Sequence, residues 1–296
     1  MGRRRESTGT LLWAILFPVL LAACGPPGDR TAGGTAHLRV GVLPDEAEQR
    51  LRRLYDPLLA YLAASTGLGF ELHVPANYEA LLETFDRGEL DLVWFGGLTF
   101  SRAQVSSNAQ PLVSRDTDVR FTTSFVVASD AEGDSLEAFA GESLAFGPRL
   151  STSGHLMARA FLDARGIRPE AFFESVKYSA RHDETAAWVR DGVVAIGVVN
   201  SAILQTLLRT GRLGGNDVKI VSTTPPYQNY VWATRATLDT DVRQTLLEAF
   251  LALDPAVPEH AVLLDELGAD GFLPVGSDAY LELQQVVSEV GSEHLR

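Results

Sequence analysis

Three consecutive hydroxyl side chains, Ser151, Thr152 and Ser153, precede Gly154 and His155. Ser143 to Phe146 (S-L-A-F) reads as a buried strand, and Gly147-Pro148 breaks it. Beyond the cluster, Leu156, Met157, Ala160, Phe161 and Ala164 fall on one helical face. The hydroxyls therefore stand at a helix N-terminus, where unpaired N–H groups carry roughly half a positive charge and suit an oxyanion. One hydroxyl is enough for a cap, so three with a glycine indicate a ligand site. His155, one turn into the helix, adds a ring to the candidate site. A second cluster closes the apolar run Leu90 to Phe95. There Phe95 stands beside Gly96-Gly97, Gly97 allows backbone to approach a ligand, and Thr99 offers a hydroxyl.

These residue types do not assemble a catalytic signature. Ser153 and His155 invite a hydrolase reading as an alternative, yet the chain contains no G-x-S-x-G elbow. Neither H-x-x-x-H nor H-E-x-x-H occurs, so no metal and no cofactor are expected, and no enzyme.

The elements that must position these groups alternate between strand and helix. Leu38–Leu43, Phe70–Val74 and Leu90–Phe95 read as strands, separated by helices near 47–65 and 78–87. A second set follows Arg120, with strands at 121–128, 143–146, 173–178, 193–199, 218–222 and 230–234. The stretch from Asp241 is mostly helical. Strands spaced by helices predict parallel βαβ units, hence an α/β fold in two sets with a cleft between them. Ligands of such sheets bind beyond the carboxyl ends of strands, where Gly96-Gly97, Ser151–His155 and Asn200-Ser201 all lie.

The N-terminus reads as an export signal. Arg3-Arg4-Arg5 precedes an apolar run from Leu11 to Ala23, which Pro18 interrupts and which is shorter than the ~20 residues of a spanning helix. Leu21-Ala22-Ala23-Cys24-Gly25 resembles the lipobox of bacterial lipoproteins, which implies lipidation of Cys24, the only cysteine. Residues 1–23 are then the signal peptide, and 24–36 the lipidated cysteine with a Gly/Pro/Thr tether. The protein is expected in the cell envelope, anchored to the bilayer on its extracytoplasmic side. The whole chain carries a net charge of −13, and about −15 once the basic signal is removed. That excess argues against nucleic acid as a partner. It does not exclude a buried anion, which answers to local dipoles more than to screened surface charge.

Tyr78–Phe100 (Y-E-A-L-L-E-T-F-D-R-G-E-L-D-L-V-W-F-G-G-L-T-F), Ser143–Leu162 and His182-Asp183 with the later D-G-V-V-A-I-G-V-V-N resemble periplasmic phosphate/phosphite/phosphonate-binding proteins of ABC importers. The W-F-G-G-L-T form is close to the selenate-assigned branch. The resemblance implies a type II periplasmic-binding-protein fold, with two α/β lobes joined by two crossover strands. One lobe is expected from 37–118 with 226–296, the other from 119–225. It further implies a small tetrahedral oxyanion (phosphate, phosphite, phosphonate, or selenate-like) held by Ser151, Thr152 and Ser153, with Tyr78 and His182 as matching contacts. An ABC permease is the implied partner, and the protein is expected to act as a monomer. Asn200-Ser201 stands where aminoalkylphosphonate binders carry an acid, which points away from an amino-bearing ligand. A ligand-sensing subunit for a separate membrane partner is the alternative that uses the same fold.

Overall fold

Apolar runs and amphipathic stretches alternate from His37 onward, and the chain folds accordingly. The computed structural model describes residues 1–2, 37–291 and 294. Cys24, the tether and nearly all of the expected signal lie outside the described residues.

The first four strands are β1 (His37–Val42), β2 (Gly69–His73), β3 (Leu92–Phe95) and β4 (Gln110–Arg115). Between them run α1 (Glu48–Thr66), α2 (Tyr78–Asp86) and α3 (Gly97–Ser107). After a 3-10 turn at Asp116–Arg120, the chain builds a second sheet from β5 (Thr123–Ala128), β6 (Ser143–Phe146), β7 (Ser175–Tyr178), β8 (Ile196–Asn200) and β9 (Val218–Thr223). Its helices are α4 (Met157–Asp163), α5 (Pro169–Phe172), α6 (His182–Arg190) and α7 (Ser201–Arg209), and a π-helical turn, Thr152–Leu156, leads into α4. The chain then returns to the first sheet with β10 (Val231–Thr234), α8 (Thr240–Leu251), α9 (Pro258–Leu267), β11 (Phe272–Pro274) and α10 (Leu281–Val290).

The first sheet has the order β11-β4-β10-β3-β1-β2, and the second β7-β6-β8-β5-β9. β1, β2 and β3 pair in parallel, as do β6, β7 and β8, which is what the βαβ spacing predicts. The returning strands β10 and β5 run antiparallel to their neighbours. Two segments, 116–122 and 224–230, carry the chain between the sheets. They pair with each other: Phe121 N–H donates to Tyr227 O (2.8 Å) and Tyr227 N–H to Phe121 O (2.9 Å).

Helices cover both faces of the parallel strands, so β3 and β8 are buried at every position. This decides the fate of Phe95. Trp94 and Phe95 point to opposite faces, but both faces are core. Phe95 packs edge-on against Phe85 of α2 (5.2 Å between ring centroids), away from the cleft side where it was expected. Trp94 stacks on Tyr230 (5.2 Å, planes 3° apart). The Gly96-Gly97 turn also does more than turn the chain, because α3 starts at Gly97. The C-terminal helix α10 packs on both α3 and α4, so it touches helices attached to each sheet. Among the described residues no helix is long and apolar enough to cross a membrane.

Candidate functional site

The carboxyl ends of β1, β3, β6 and β8 meet between the two sheets, and four helical segments begin there. Tyr78 opens α2, Gly97 opens α3, Thr152 opens the π-helical turn and His182 opens α6. Each start presents N–H groups that have no partner within its own helix. Single π-helical turns such as Thr152–Leu156 are rare and are found frequently at functional sites.

Ser151 is the centre of the arrangement. Its Oγ accepts the Gly154 N–H (2.9 Å), which caps the turn, and lies 3.1 Å from His182 Nε2. His182 Nδ1 accepts the Asn200 N–H (3.3 Å), so the ring proton must sit on Nε2 and point at Ser151. Burial drives the His182 pKa down to about 3, which keeps the ring neutral. Ser151 Oγ thus receives two donors, and its own proton is left to donate elsewhere. Thr152 Oγ1 accepts the Leu98 N–H of α3 (2.9 Å), tying the second sheet's turn to the first sheet's helix.

Two more hydroxyls complete the niche. Tyr78 Oη and Ser153 Oγ are buried and make no hydrogen bond of good geometry, although Ser151 and Tyr227 respectively stand close to them. An unpaired buried hydroxyl costs free energy, which sets these two apart from the bonded hydroxyls of Ser151 and Thr152. The Tyr78 hydroxyl is held far above its ordinary pKa by burial and then by the nearby Asp45 charge, which makes it a permanent donor. Thr123 Oγ1 donates to Ser153 O (2.9 Å) and therefore accepts from Tyr227 Oη (2.7 Å), which fixes the backbone of the turn from behind. Gly147 and Gly154 let the turn close on the imidazole: a Cβ on Gly154 would lie 2.6 Å from His182 Cε1.

The structure brings Tyr78, Ser151, Thr152, Ser153 and His182 together. It uses the other candidates differently. Gly97 N–H donates to Asn229 Oδ1 (3.3 Å) and Thr99 Oγ1 to Gly96 O (2.9 Å), so both secure the start of α3. His155 is fully buried, with Nδ1 2.8 Å from Arg149 O and Nε2 accepting from Arg159 Nε (3.2 Å). Phe146 and Tyr178 pack on its ring, and burial lowers its pKa to about 4. Both ring nitrogens are committed away from Ser153, so the pairing a hydrolase would need is not formed. Arg149 lies over the Tyr178 ring (3.8 Å), not over the niche.

Sequence reasoning missed Asp45, Thr123 and Tyr230. Asp45 follows β1 just as Gly96 follows β3, so the rule of carboxyl ends could have found it. Tyr230 Oη donates to Asp45 Oδ2 (2.9 Å) and accepts from Asn200 Nδ2 (2.9 Å), while His182 N–H donates to Asp45 O (3.1 Å). Burial, with the adjacent Glu46 charge, raises the Asp45 pKa to about 7 against the opposing Tyr230 bond.

Residues 40–280 match the family described as ABC transporter, phosphonate, periplasmic substrate-binding protein. The chain is 27% identical over 261 residues to a probable ABC transporter phosphite binding protein, PhnD1, of Prochlorococcus marinus, covering 84% of this chain and 88% of the relative. It is 25% identical over 306 residues to the phosphate-import protein PhnD of Mycolicibacterium smegmatis, covering 95% of each. The solved structure of P. marinus PhnD1 in complex with methylphosphonate superposes with a TM-score of 0.81 at 26% identity, over 86% of this chain and 98% of that one. The aliphatic sulphonate binding protein SsuA of Escherichia coli shares the fold, with a TM-score of 0.60 at 15% identity over 88% of this chain and 89% of that one.

Proposed function

Because the chain belongs to the family of periplasmic substrate-binding proteins of ABC phosphonate transporters, we propose that its niche binds a small tetrahedral phosphorus oxyanion: phosphite, phosphate or a simple phosphonate. The observation that carries this reading is the pair of buried, unpartnered hydroxyls, Tyr78 Oη and Ser153 Oγ, beside the free protons of Ser151 and Thr152. Four O–H donors and the N–H groups of converging helix starts suit an acceptor-only ligand with oxygens in several directions. Selectivity for the anion then comes from fixed dipoles rather than from a lysine or arginine.

Binding works by closure of two lobes, 37–118 with 226–296 against 119–225, about the paired segments at Phe121 and Tyr227. An anion that touches Tyr78 on one lobe and Ser151–Ser153 on the other favours the closed form by its differential affinity. His155 takes the role of a support: with Arg159 and Tyr178 it braces the turn from its far side. The closed monomer then hands the anion to an ABC permease, while acylated Cys24 keeps the protein at the membrane. No chemistry is performed on the ligand.

Isothermal calorimetry of ligand-free protein with phosphite, phosphate, methylphosphonate, sulfate and selenate tests the reading. One-to-one binding of a phosphorus oxyanion, with a matching rise in Tm, is expected. Silence from all five, or preference for sulfate or selenate, overturns it. Cys24→Ser should move the protein from the membrane to the soluble fraction of producing cells.

A further inference from the structure

Every group of the niche is nearly inaccessible: Tyr78 is 2% exposed, Ser151 3%, Thr152 2%, Ser153 1% and His182 0%. Next to it lies a cavity of about 480 Å³, lined by Asp45, Phe121, Asn200 and Tyr230 on its inner side and by Arg120 and Asp265 farther out. None of the five niche residues lines that cavity. What stands between the two spaces is the hydrogen-bonded chain Asp45–Tyr230–Asn200, with 2.9 Å at each link. The chain belongs to both spaces. Asp45 O and Asn200 N hold the backbone and ring of His182, whose other nitrogen meets Ser151, while the same three side chains face the cavity. Phe121 closes the remaining gap by packing edge-on against Tyr230 (5.6 Å).

We infer that Asp45, Tyr230 and Asn200 form a partition that limits the ligand to an oxyanion bearing no substituent larger than a methyl group. The inference rests on the oxyanion reading above and names the substrate class of that site. A phosphorus atom held by Tyr78 and Ser151–Ser153 has its oxygens turned to the hydroxyls. A fourth substituent has one direction left in which to grow, toward the cavity, and the partition blocks it. The partition is polar and joined by hydrogen bonds at each link, so pushing it aside breaks buried bonds as well as packing. Hydrogen, hydroxyl and methyl fit short of it; an aminoethyl or phenyl group does not.

Calorimetry with methylphosphonate and phenylphosphonate tests this. The wild-type protein should bind phenylphosphonate about a hundredfold more weakly, toward the upper end of the cost of forced overpacking. Asn200→Ser keeps a side-chain oxygen for the α7 cap, now made to Ile203 N–H (3.0 Å), but withdraws the amide that reaches Tyr230. That substitution should join the cavity to the niche and cut the ratio between the two ligands by at least about tenfold. Phe121→Ala opens the same wall from its apolar side and should lower the ratio in the same direction. Comparable wild-type affinities for the two phosphonates overturn the partition, whatever the variants do. An unchanged ratio in both folded variants overturns it too. If the wild-type protein binds neither methylphosphonate nor phosphite, the oxyanion reading itself fails, which is a different result from tight binding of both phosphonates.

Discussion

The orphaned hydroxyls are the most telling side chains in the molecule because stability and function pull on them in opposite directions. Ser153 Oγ and Tyr78 Oη lie buried without a partner, and each unpaired group costs on the order of 1–3 kcal/mol. Ser153→Ala and Tyr78→Phe should therefore leave the Tm of the ligand-free protein unchanged or raise it slightly. The same substitutions should weaken oxyanion binding by about 1–3 kcal/mol each, or roughly 5- to 150-fold. Thermal melts and calorimetry on the same samples check both halves. A large loss of stability would mean that these hydroxyls serve the fold rather than a ligand. Ser151→Ala differs in kind. Its Oγ caps the π-helical turn through Gly154 N–H and meets His182, so about 1 kcal/mol of stability should be lost along with binding.

At the scale of elements, what touches across the sheets matters more than what each helix does alone. Helix α3 has no cap from its own N-terminal residue, and Thr152 of the opposite sheet supplies one through Leu98 N–H. Thr152→Val keeps the shape of the side chain and removes that acceptor, leaving a buried N–H unpaired in the closed form only. Closure should therefore become harder, lowering oxyanion affinity by about tenfold while Tm without ligand falls little. Solution scattering should show a larger radius of gyration for the ligand-free variant; an unchanged radius and affinity would count against Thr152 as a closing contact. This helix is also where sequence reasoning was thinnest. The parallel strands were legible because helices bury both of their faces and leave continuous apolar runs, as at Leu92–Phe95 and Ile196–Asn200. The helix at Gly97 was hidden by two glycines that read as a turn, and β4 by Pro111 and a short, mixed run at Gln110–Arg115. The Ser151–Ser153 turn showed itself by three hydroxyls at a helix start. Asp45 and Tyr230 gave no such local signal, since a carboxylate after a strand and a tyrosine after a loop acquire meaning only when the two sheets face each other.

For the molecule as a whole, Asp45 links the charge of one buried carboxyl to the stability of the fold. Its pKa is raised from 3.8 to about 7, chiefly by burial, in a protein whose net charge is already −13. Between those two values the folded protein holds a proton that the unfolded chain has released, so folding stability falls as pH rises from about 4 to 7. The full loss is on the order of 4 kcal/mol, reached once Asp45 is ionised in both states. His182 and His155 act in the opposite sense. Their folded pKa values, about 3 and about 4, lie below the ordinary 6.5, so their contribution is intact above 6.5 and is lost as pH falls toward 4. Asp91, held low by Arg39 and Arg235 against its own burial, adds a further loss only below 3.8. The histidines and Asp45 therefore oppose each other over the same window, where the one proton of Asp45 offsets about half of the rise in stability with pH that the two histidines supply. Asp45→Asn removes one side of that balance while keeping an acceptor for Tyr230 Oη. Relative to wild type, the variant should gain nothing near pH 4, gain progressively through pH 5 and 6, and reach a plateau of several kcal/mol above pH 7. Denaturant titrations of both proteins at pH 4, 6 and 8 would show that difference growing with pH. A difference that stays flat across the three would mean that Asp45 is ionised throughout, compensated by contacts other than the bond from Tyr230.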